Sequence, residues 1–264
     1  MTQTEHLQSV ILTMMKDIDK FCRDYEIEYY LFGGTTLGAK RHKGFIPWDD
    51  DIDIVLLPEQ YDNFIKLCKE KLDKNKYSFQ EGTVDWPEHF SKIRLKGTHI
   101  KEFGEYYIGP KMDGIYIDVF RVDYASNSKI GRAFQYMWGK LWLAHNMNCK
   151  GFKPNSISKK FISLMAKPLK LKSILKFVQK RYLKYNDSPT NWVSDVMGRT
   201  RWHNAFVPRS VYGKPTLTQF EDTELYAQED MDKYLSITYG DYMQLPPVEK
   251  RVGLHIIDID FGKY

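Results

Sequence analysis

The sequence predicts an α/β chain of the α+β kind, with a mixed β-sheet core and a mainly helical insertion. Two observations carry this. Amphipathic helical runs and short β-branched or aromatic strands fill residues 1–125 and resume over 191–264, while residues 126–190 between them are helical and strongly basic. The expected organisation is therefore a core at 1–125, an insertion at 126–190, and a C-terminal part at 191–264 that completes the core. A chain of 264 residues is long enough to bury a full core.

Residues 5–25 place Leu7, Ile11, Met14, Ile18, Phe21 and Tyr25 at spacings of three and four, the period of an amphipathic helix. Residues 28–32 read as a short strand that runs into Gly33-Gly34-Thr35-Thr36, a tight turn opening a short helix. After Pro47 comes an acidic run, and residues 51–57 read as a buried strand. Pro58 starts a helix with Tyr61, Phe64, Ile65, Cys68 and Leu72 on its inner face. Strands are expected near 77–80 and 89–95, and Ile115-Tyr116-Ile117-Asp118-Val119-Phe120 is a pronounced β pattern. Pro154 and Pro168 divide the helical segment. Residues 216–222 are a strand or loop, 228–239 a helix stopped by Gly240, and Pro246-Pro247 ends regular structure.

Composition narrows the function classes. The three cysteines, Cys22, Cys68 and Cys149, have no zinc or redox spacing, which points to reduced thiols and a cytoplasmic setting. No basic-then-apolar leader opens the chain, and no uncharged run approaches the roughly 18 residues needed to span a bilayer. The net charge of +5 hides an asymmetry: residues 126–187 hold 14 Lys and Arg against one acid, a balance of +13, so the remainder sums to −8. A basic segment on an otherwise acidic chain points to an anionic partner.

The chemistry centres on Trp48-Asp49-Asp50-Asp51-Ile52-Asp53. Side chains alternate along a strand, so Asp51 and Asp53 share a face. Two carboxylates on a buried strand repel each other and resist desolvation, and a divalent cation relieves both penalties. An all-oxygen site suits Mg²⁺ or Mn²⁺. The ordinary alternative is an acidic turn with each Asp solvated. Upstream, the backbone N–H groups of a Gly33-Gly34 helix start, with Thr35, can cradle a phosphate, and Lys40, Arg41, His42 and Lys43 can offset its charge. Asp118 sits mid-strand, where an acid needs a partner. It is expected beside Asp51 and Asp53 as a further ligand or as a base for an incoming hydroxyl, or else paired with Arg94 or Arg121.

The stretch from Phe32 to Ile54, FGGTTLGAKRHKGFIPWDDDIDI, resembles the LicD family of phosphocholine transferases, members of the nucleotidyltransferase-fold superfamily related to fukutin and fukutin-related protein. The stretch from Tyr234 to Arg251 is similar to the family's closing motif. Near Phe220-Glu221 the chain departs from the family pattern, carrying Asp222 and Leu225-Tyr226-Ala227. The resemblance implies a nucleotidyltransferase-fold core and a metal-dependent transferase. It would take a CDP-linked donor, CDP-choline, and pass its phospho-headgroup to a hydroxyl of a cell-surface glycan with release of CMP. Asp49, Asp51, Asp53 and Asp118 would be the metal set, with Asp51, Asp53 and Asp118 catalytic. Gly33, Gly34, Thr35, Arg41, His42 and Lys43 would hold donor phosphate, and Arg251 and His255 would contact phosphate or acceptor. A CDP-polyol donor and an ordinary nucleotidyl transfer to a small molecule remain open. A choline headgroup needs aromatic faces. Trp48, Trp86, Tyr106, Tyr107, Trp138, Trp142, Trp192 and Trp202 are the candidates.

In the basic segment, apolar residues interleave with Lys, as in helices lying on a membrane surface. Glycan acceptors assembled on lipid carriers would place the protein peripherally at the inner face of the cell membrane. The alternative is a solvated helical subdomain. No nucleic-acid recognition motif accompanies the charge, so no nucleic-acid partner is expected.

Overall fold

A computed structural model describes residues 1–82, 89–102, 112–151, 153–198, 200–253 and 256–264. In chain order the elements are α1 (Gln3–Asp24), β1 (Tyr30–Leu31), α2 (Gly33–His42), β2 (Asp53–Leu56), α3 (Pro58–Lys71), β3 (Tyr77–Gln80), β4 (Ser91–Leu95), β5 (His99–Glu102) and β6 (Tyr116–Arg121). There follow β7 (Asp123–Ala125), α4 (Lys129–Cys149), α5 (Ile157–Met165), α6 (Lys172–Tyr182), β8 (Trp192–Ser194) and β9 (Phe206–Pro208). The chain ends with α7 (Arg209–Tyr212), β10 (Thr216–Phe220), β11 (Thr223–Ala227), α8 (Met231–Tyr239) and β12 (Ile256–Asp260). This is an α+β fold in two compact units.

The first unit comprises residues 1–82, 90–120 and 211–264. Its five-stranded sheet has the order β1-β2-β6-β4-β3, with β1/β2, β4/β6 and β3/β4 antiparallel. Helix α1 starts with a capping box between Thr2 and Glu5. It buries Leu7, Ile11, Met14, Met15 and Ile18 against Leu31, Ile54, Leu56, Ile93 and Ile117 of the sheet. Each such side chain contributes about 1.5–3 kcal/mol on burial. Helix α3 adds Tyr61, Phe64 and Cys68 to the same core. Ile54, Val55 and Leu56 are all fully buried, which is why β2 reads as a continuous apolar run.

The second unit comprises residues 83–89 and 121–210. It contains the segment expected as an insertion at 126–190 and also residues 191–210, since β8 pairs with β7 on one side and β9 on the other. Buried Gln135 ties α4 to its neighbours by donating to the carbonyls of Tyr124 (2.8 Å) and Tyr182 (3.0 Å). Lys140 donates to the carbonyls of Val196, Gly198 and Thr200. Gly139 is small because a Cβ there would lie 2.6 Å from Val196 and 2.8 Å from Tyr182.

Two elements differ from the sequence expectation, and a third, expected as a strand or loop, is a strand. The strand expected from Asp51 begins at Asp53; a turn at Pro47-Trp48, closed by the Asp49 N–H on the Ile46 carbonyl (2.9 Å), precedes it, and residues 49–52 are irregular. Helix α8 begins at Met231, capped by the side chain of Asp230, and not at Gln228. The 216–222 region is one arm of a hairpin, β10/β11, whose turn residue Glu221 has a positive φ of 53°.

Candidate active site

Strand β2 and helix α2 build the site together. Phe32, the N-cap of α2, donates its N–H to the carbonyl of Asp53 (2.9 Å), and the N–H of Asp53 donates to Thr35 Oγ1 (2.9 Å). The helix start and the acidic strand start are thus locked face to face. Gly33 has a φ of +54°, which a glycine adopts at little cost. A Cβ on Gly33 would lie 3.8 Å from Asp53 Oδ2, and one on Gly34 would lie 3.1 Å from Asp49 Oδ2. The two glycines therefore border Asp53 and Asp49 at the positive end of the α2 dipole. The N–H of Gly33 donates to the Tyr234 hydroxyl (3.1 Å), and the Tyr239 hydroxyl is 3.6 Å from where a Gly33 Cβ would sit. Thr35 is buried, with its hydroxyl directed to the backbone of Asp53.

Oxygens of Asp49, Asp50 and Asp51 lie within 4.8 Å of one another. The turn that gathers them is held from α1: Gln8 Nε2 donates to the carbonyls of Asp49 (2.8 Å) and Ile46 (3.3 Å). Asp118 reaches the cluster from β6, whose backbone N–H at this residue donates to the carbonyl of Ile52 (3.2 Å). Burial, and then the charges of Asp51, Asp118 and Asp49, push the Asp53 carboxyl well above the usual carboxylate range, with Lys92 acting in the opposite direction. This crowding is what a divalent cation would relieve, and every donor is a hard oxygen, so the residues fit Mg²⁺ or Mn²⁺.

Among the described residues, Asp118 pairs with Lys92 and not with Arg94 or Arg121. Lys92, opposite it across β4 and β6, lies 3.2 Å away, and both side chains are nearly buried. Lys92 Nζ also stands 3.3 Å from the ring centroid of Tyr116. Arg94 instead donates to Gln80 and to the carbonyl of Gly114, and Arg121 pairs with Asp123.

The basic candidates divide. Lys43 is exposed at the C-cap of α2, ten residues from Gly33, hence about 15 Å along the helix at 1.5 Å per residue. Its carbonyl accepts from the N–H of Glu221. Arg41 and His42 instead join the closing segment. Arg41 Nη1 donates to the carbonyl of Tyr242 (2.9 Å), and Arg41 Nε to His42 Nε2 (3.0 Å). His42 stands edge-on to Trp48 at 6.3 Å, and the Arg251 guanidinium lies 5.6 Å from the Trp48 ring centroid. Burial and then the charge of Arg251 lower the Arg41 pKa, which marks the two guanidiniums as neighbours. Burial and Arg41 lower that of His42. A Cβ on Gly253 would lie 3.4 Å from Asp50 Oδ2, so the closing segment passes over the acidic turn. His255 lies outside the described residues, as do Trp86, Tyr106 and Tyr107. Of the remaining tryptophans, Trp138, Trp142, Trp192 and Trp202 belong to the second unit and Trp48 to the first.

Sequence reasoning missed Lys92, Gln8, Asp50 as a member of the cluster, and the hydroxyls of Tyr234 and Tyr239. The one available signal was the alternation of Lys92 and Arg94 with Ile93 and Leu95, which puts two cations on one side of a buried strand.

A glycine-opened helix is thus set against carboxylates that two neighbouring strands deliver. Residues 26–153 match the family model described as LicD/FKTN/FKRP, nucleotidyltransferase domain. Over 259 residues it is 27% identical to a Haemophilus influenzae protein named lipopolysaccharide cholinephosphotransferase LicD, covering 94% of each chain. It is also 29% identical over 106 residues to an uncharacterized protein of Rickettsia prowazekii, covering 29% of this chain and 40% of that one. An uncharacterized protein of Rickettsia typhi is 43% identical over 57 residues, 22% of this chain and 18% of that one.

Proposed function

We propose that the chain is a metal-dependent phosphotransferase. It takes phosphocholine from CDP-choline and joins it to a hydroxyl of a cell-surface glycan of the lipopolysaccharide or teichoic acid type. The acceptor oxygen forms a bond to the choline-bearing phosphorus, the diphosphate bridge breaks, and CMP leaves. One observation carries this reading: the carboxylates of Asp49, Asp50, Asp51, Asp53 and Asp118 gather at the Gly33-Gly34 start of α2. The relative from H. influenzae, named a cholinephosphotransferase, supports the choice of headgroup.

Asp49, Asp51, Asp53 and Asp118 would hold Mg²⁺ or Mn²⁺, which when bound offsets charge developing on the phosphoryl oxygens. The chain's own residues do the rest. Gly33 and Gly34, lacking Cβ atoms, leave room for donor phosphate to approach Asp53 and Asp49. Arg41 and Arg251 supply positive charge beside Trp48. Asp118, paired with Lys92, is the third carboxylate or the base that takes the acceptor proton. Tyr239 at the helix start, 45% exposed, offers a face for a quaternary ammonium, worth roughly 0.5–2 kcal/mol per ring. The acceptor is lipid-linked, and the protein works peripherally at the inner face of the membrane. None of the helices of the described residues is long and apolar enough to cross a bilayer.

The test is a side-by-side assay of CDP-choline, CDP-ribitol and CDP-glycerol with Mg²⁺ and with EDTA, scoring CMP and the modified acceptor. CMP release from CDP-choline that EDTA abolishes is expected. Preference for a polyol donor would overturn the headgroup. Nucleotide on the acceptor with free pyrophosphate would overturn the reaction class.

A further inference from the structure

Helix α5 is amphipathic the wrong way round for a soluble protein. Ile157, Phe161, Leu164 and Met165 fall at i, i+4, i+7 and i+8, one face of a helix, and this face is normally turned to the core. Here they are 87%, 63%, 56% and 52% exposed, and α5 has no buried residue. Its attachment to α4 is polar instead: Ser163 Oγ donates to Asn148 Oδ1 (2.6 Å), and Asn148 Nδ2 donates to the Ser163 carbonyl (3.0 Å). The following turn continues the pattern. Ala166 and Leu169 are buried, while Leu171 stays 61% exposed.

Charge identifies what covers this face. From Ser156 to Lys184 the sequence has nine Lys and Arg and neither Asp nor Glu. Lys159, Lys160, Lys167 and Lys170 flank the apolar face, and all four are exposed. A second copy docking through the same face would bring the same positive charge against it and be repelled. An anionic bilayer satisfies both features at once, since apolar side chains enter the acyl boundary while lysines reach the headgroups.

We propose that α5 and the turn through Leu171 are an in-plane insertion element that docks the second unit on an anionic membrane. This deepens the peripheral-membrane reading above and rests on it for its purpose, bringing the enzyme to a lipid-linked acceptor. Lipid contact itself does not depend on the transfer chemistry.

The experiment uses the full chain and two sets of vesicles, phosphatidylcholine alone and phosphatidylcholine mixed with phosphatidylglycerol. Wild type should sediment with the anionic vesicles, and added salt should weaken the binding. Replacing Lys159, Lys160, Lys167 and Lys170 with Glu should lower anionic-vesicle binding at least about tenfold. Replacing Ile157, Phe161, Leu164 and Met165 with Ser should abolish it. Both variants should keep the wild-type melting temperature and CMP release from free CDP-choline, since none of these residues lies in the carboxylate site. A Phe161→Trp chain should show a blue-shifted emission with anionic vesicles. Folded wild type that ignores anionic vesicles would overturn the proposal while leaving the transferase reading standing. So would a concentration-dependent dimer that the Ser variant abolishes, which would assign the face to self-association. Vesicle binding without CMP release would leave the insertion element standing and count against the transferase reading.

Discussion

At the scale of single residues, the carboxylate cluster costs the fold stability. Asp53 is held above its usual pKa by burial and by three neighbouring acids, so its ionisation opposes folding. The sign follows from linkage: a raised carboxyl pKa makes the fold less stable as pH rises past the unfolded value near 3.9. Asp53→Asn removes that cost. We expect it to melt above wild type in EDTA at neutral pH while losing CMP release, and a lower melting temperature would contradict the crowding. Lys92 acts in the opposite sense. Lys92→Met leaves Asp118 nearly buried among acids, and losing one partner of a buried pair costs about 3–5 kcal/mol. Urea titration in EDTA should show a loss of this order, and an unchanged midpoint would remove Lys92 from the cluster. The acids were legible in sequence because they are consecutive, and Gly33-Gly34 because they sit between a strand and a helix. Lys92, Gln8 and Tyr234 were not legible, because each reaches its partner in the site across 26 or more residues of sequence.

At the scale of elements, periodicity and proline placed α1, α3 and the α4–α6 series, since each carries its signal within itself. Strands β5 and β12 carry none. They are short, and each pairs with a segment more than 150 residues distant, His99 opposite Asp260 and Glu102 opposite Ile256. What fixes β5 is a side-chain tie. His99 Nδ1 and Asp113 Oδ2 are 2.5 Å apart, and the other Asp113 oxygen accepts the N–H groups of Ile100 and Gly114. The hydrogen bond to Asp113 raises the His99 pKa, outweighing burial. Burial works upward on Asp113, but His99 and the two backbone N–H groups hold its pKa below the usual value. The His99 contribution is complete below about 6.5, its unfolded value, and fades as pH climbs through the raised folded value. The Asp113 contribution is complete above about 3.9 and fades as pH falls through the lowered folded value. Amide protection of β5 and β12 should therefore be greatest between about pH 3.9 and pH 6.5 and decline as pH rises through the raised His99 value. His99→Asn should flatten the alkaline decline, and an unaltered pH profile in that variant would dissociate the pair from the strand.

At the scale of the whole molecule, the charge boundary near residue 126 announced the second unit, but its extent was hidden in strand pairing. Residues 191–208 join it because β8 and β9 complete the sheet begun by β7, a link that composition does not carry. All the proposed metal carboxylates lie in the first unit. A ligand that binds only the folded form stabilises it by RT ln(1 + [L]/Kd), about 2.7 kcal/mol at one hundred times Kd. At roughly 2–4 °C per kcal/mol for a chain of this size, saturating Mg²⁺ or Mn²⁺ should raise the melting transition by about 5–10 °C. Where the two units melt separately, the transition of the first should move, since it holds all the proposed metal carboxylates. The Asp53→Asn chain should melt at the same temperature with metal and with EDTA. The two results are linked in sign, because the carboxylate whose loss raises the metal-free melting point is the one whose loss removes the metal's effect. A wild-type chain indifferent to both cations at millimolar concentration would refute the metal assignment for these carboxylates.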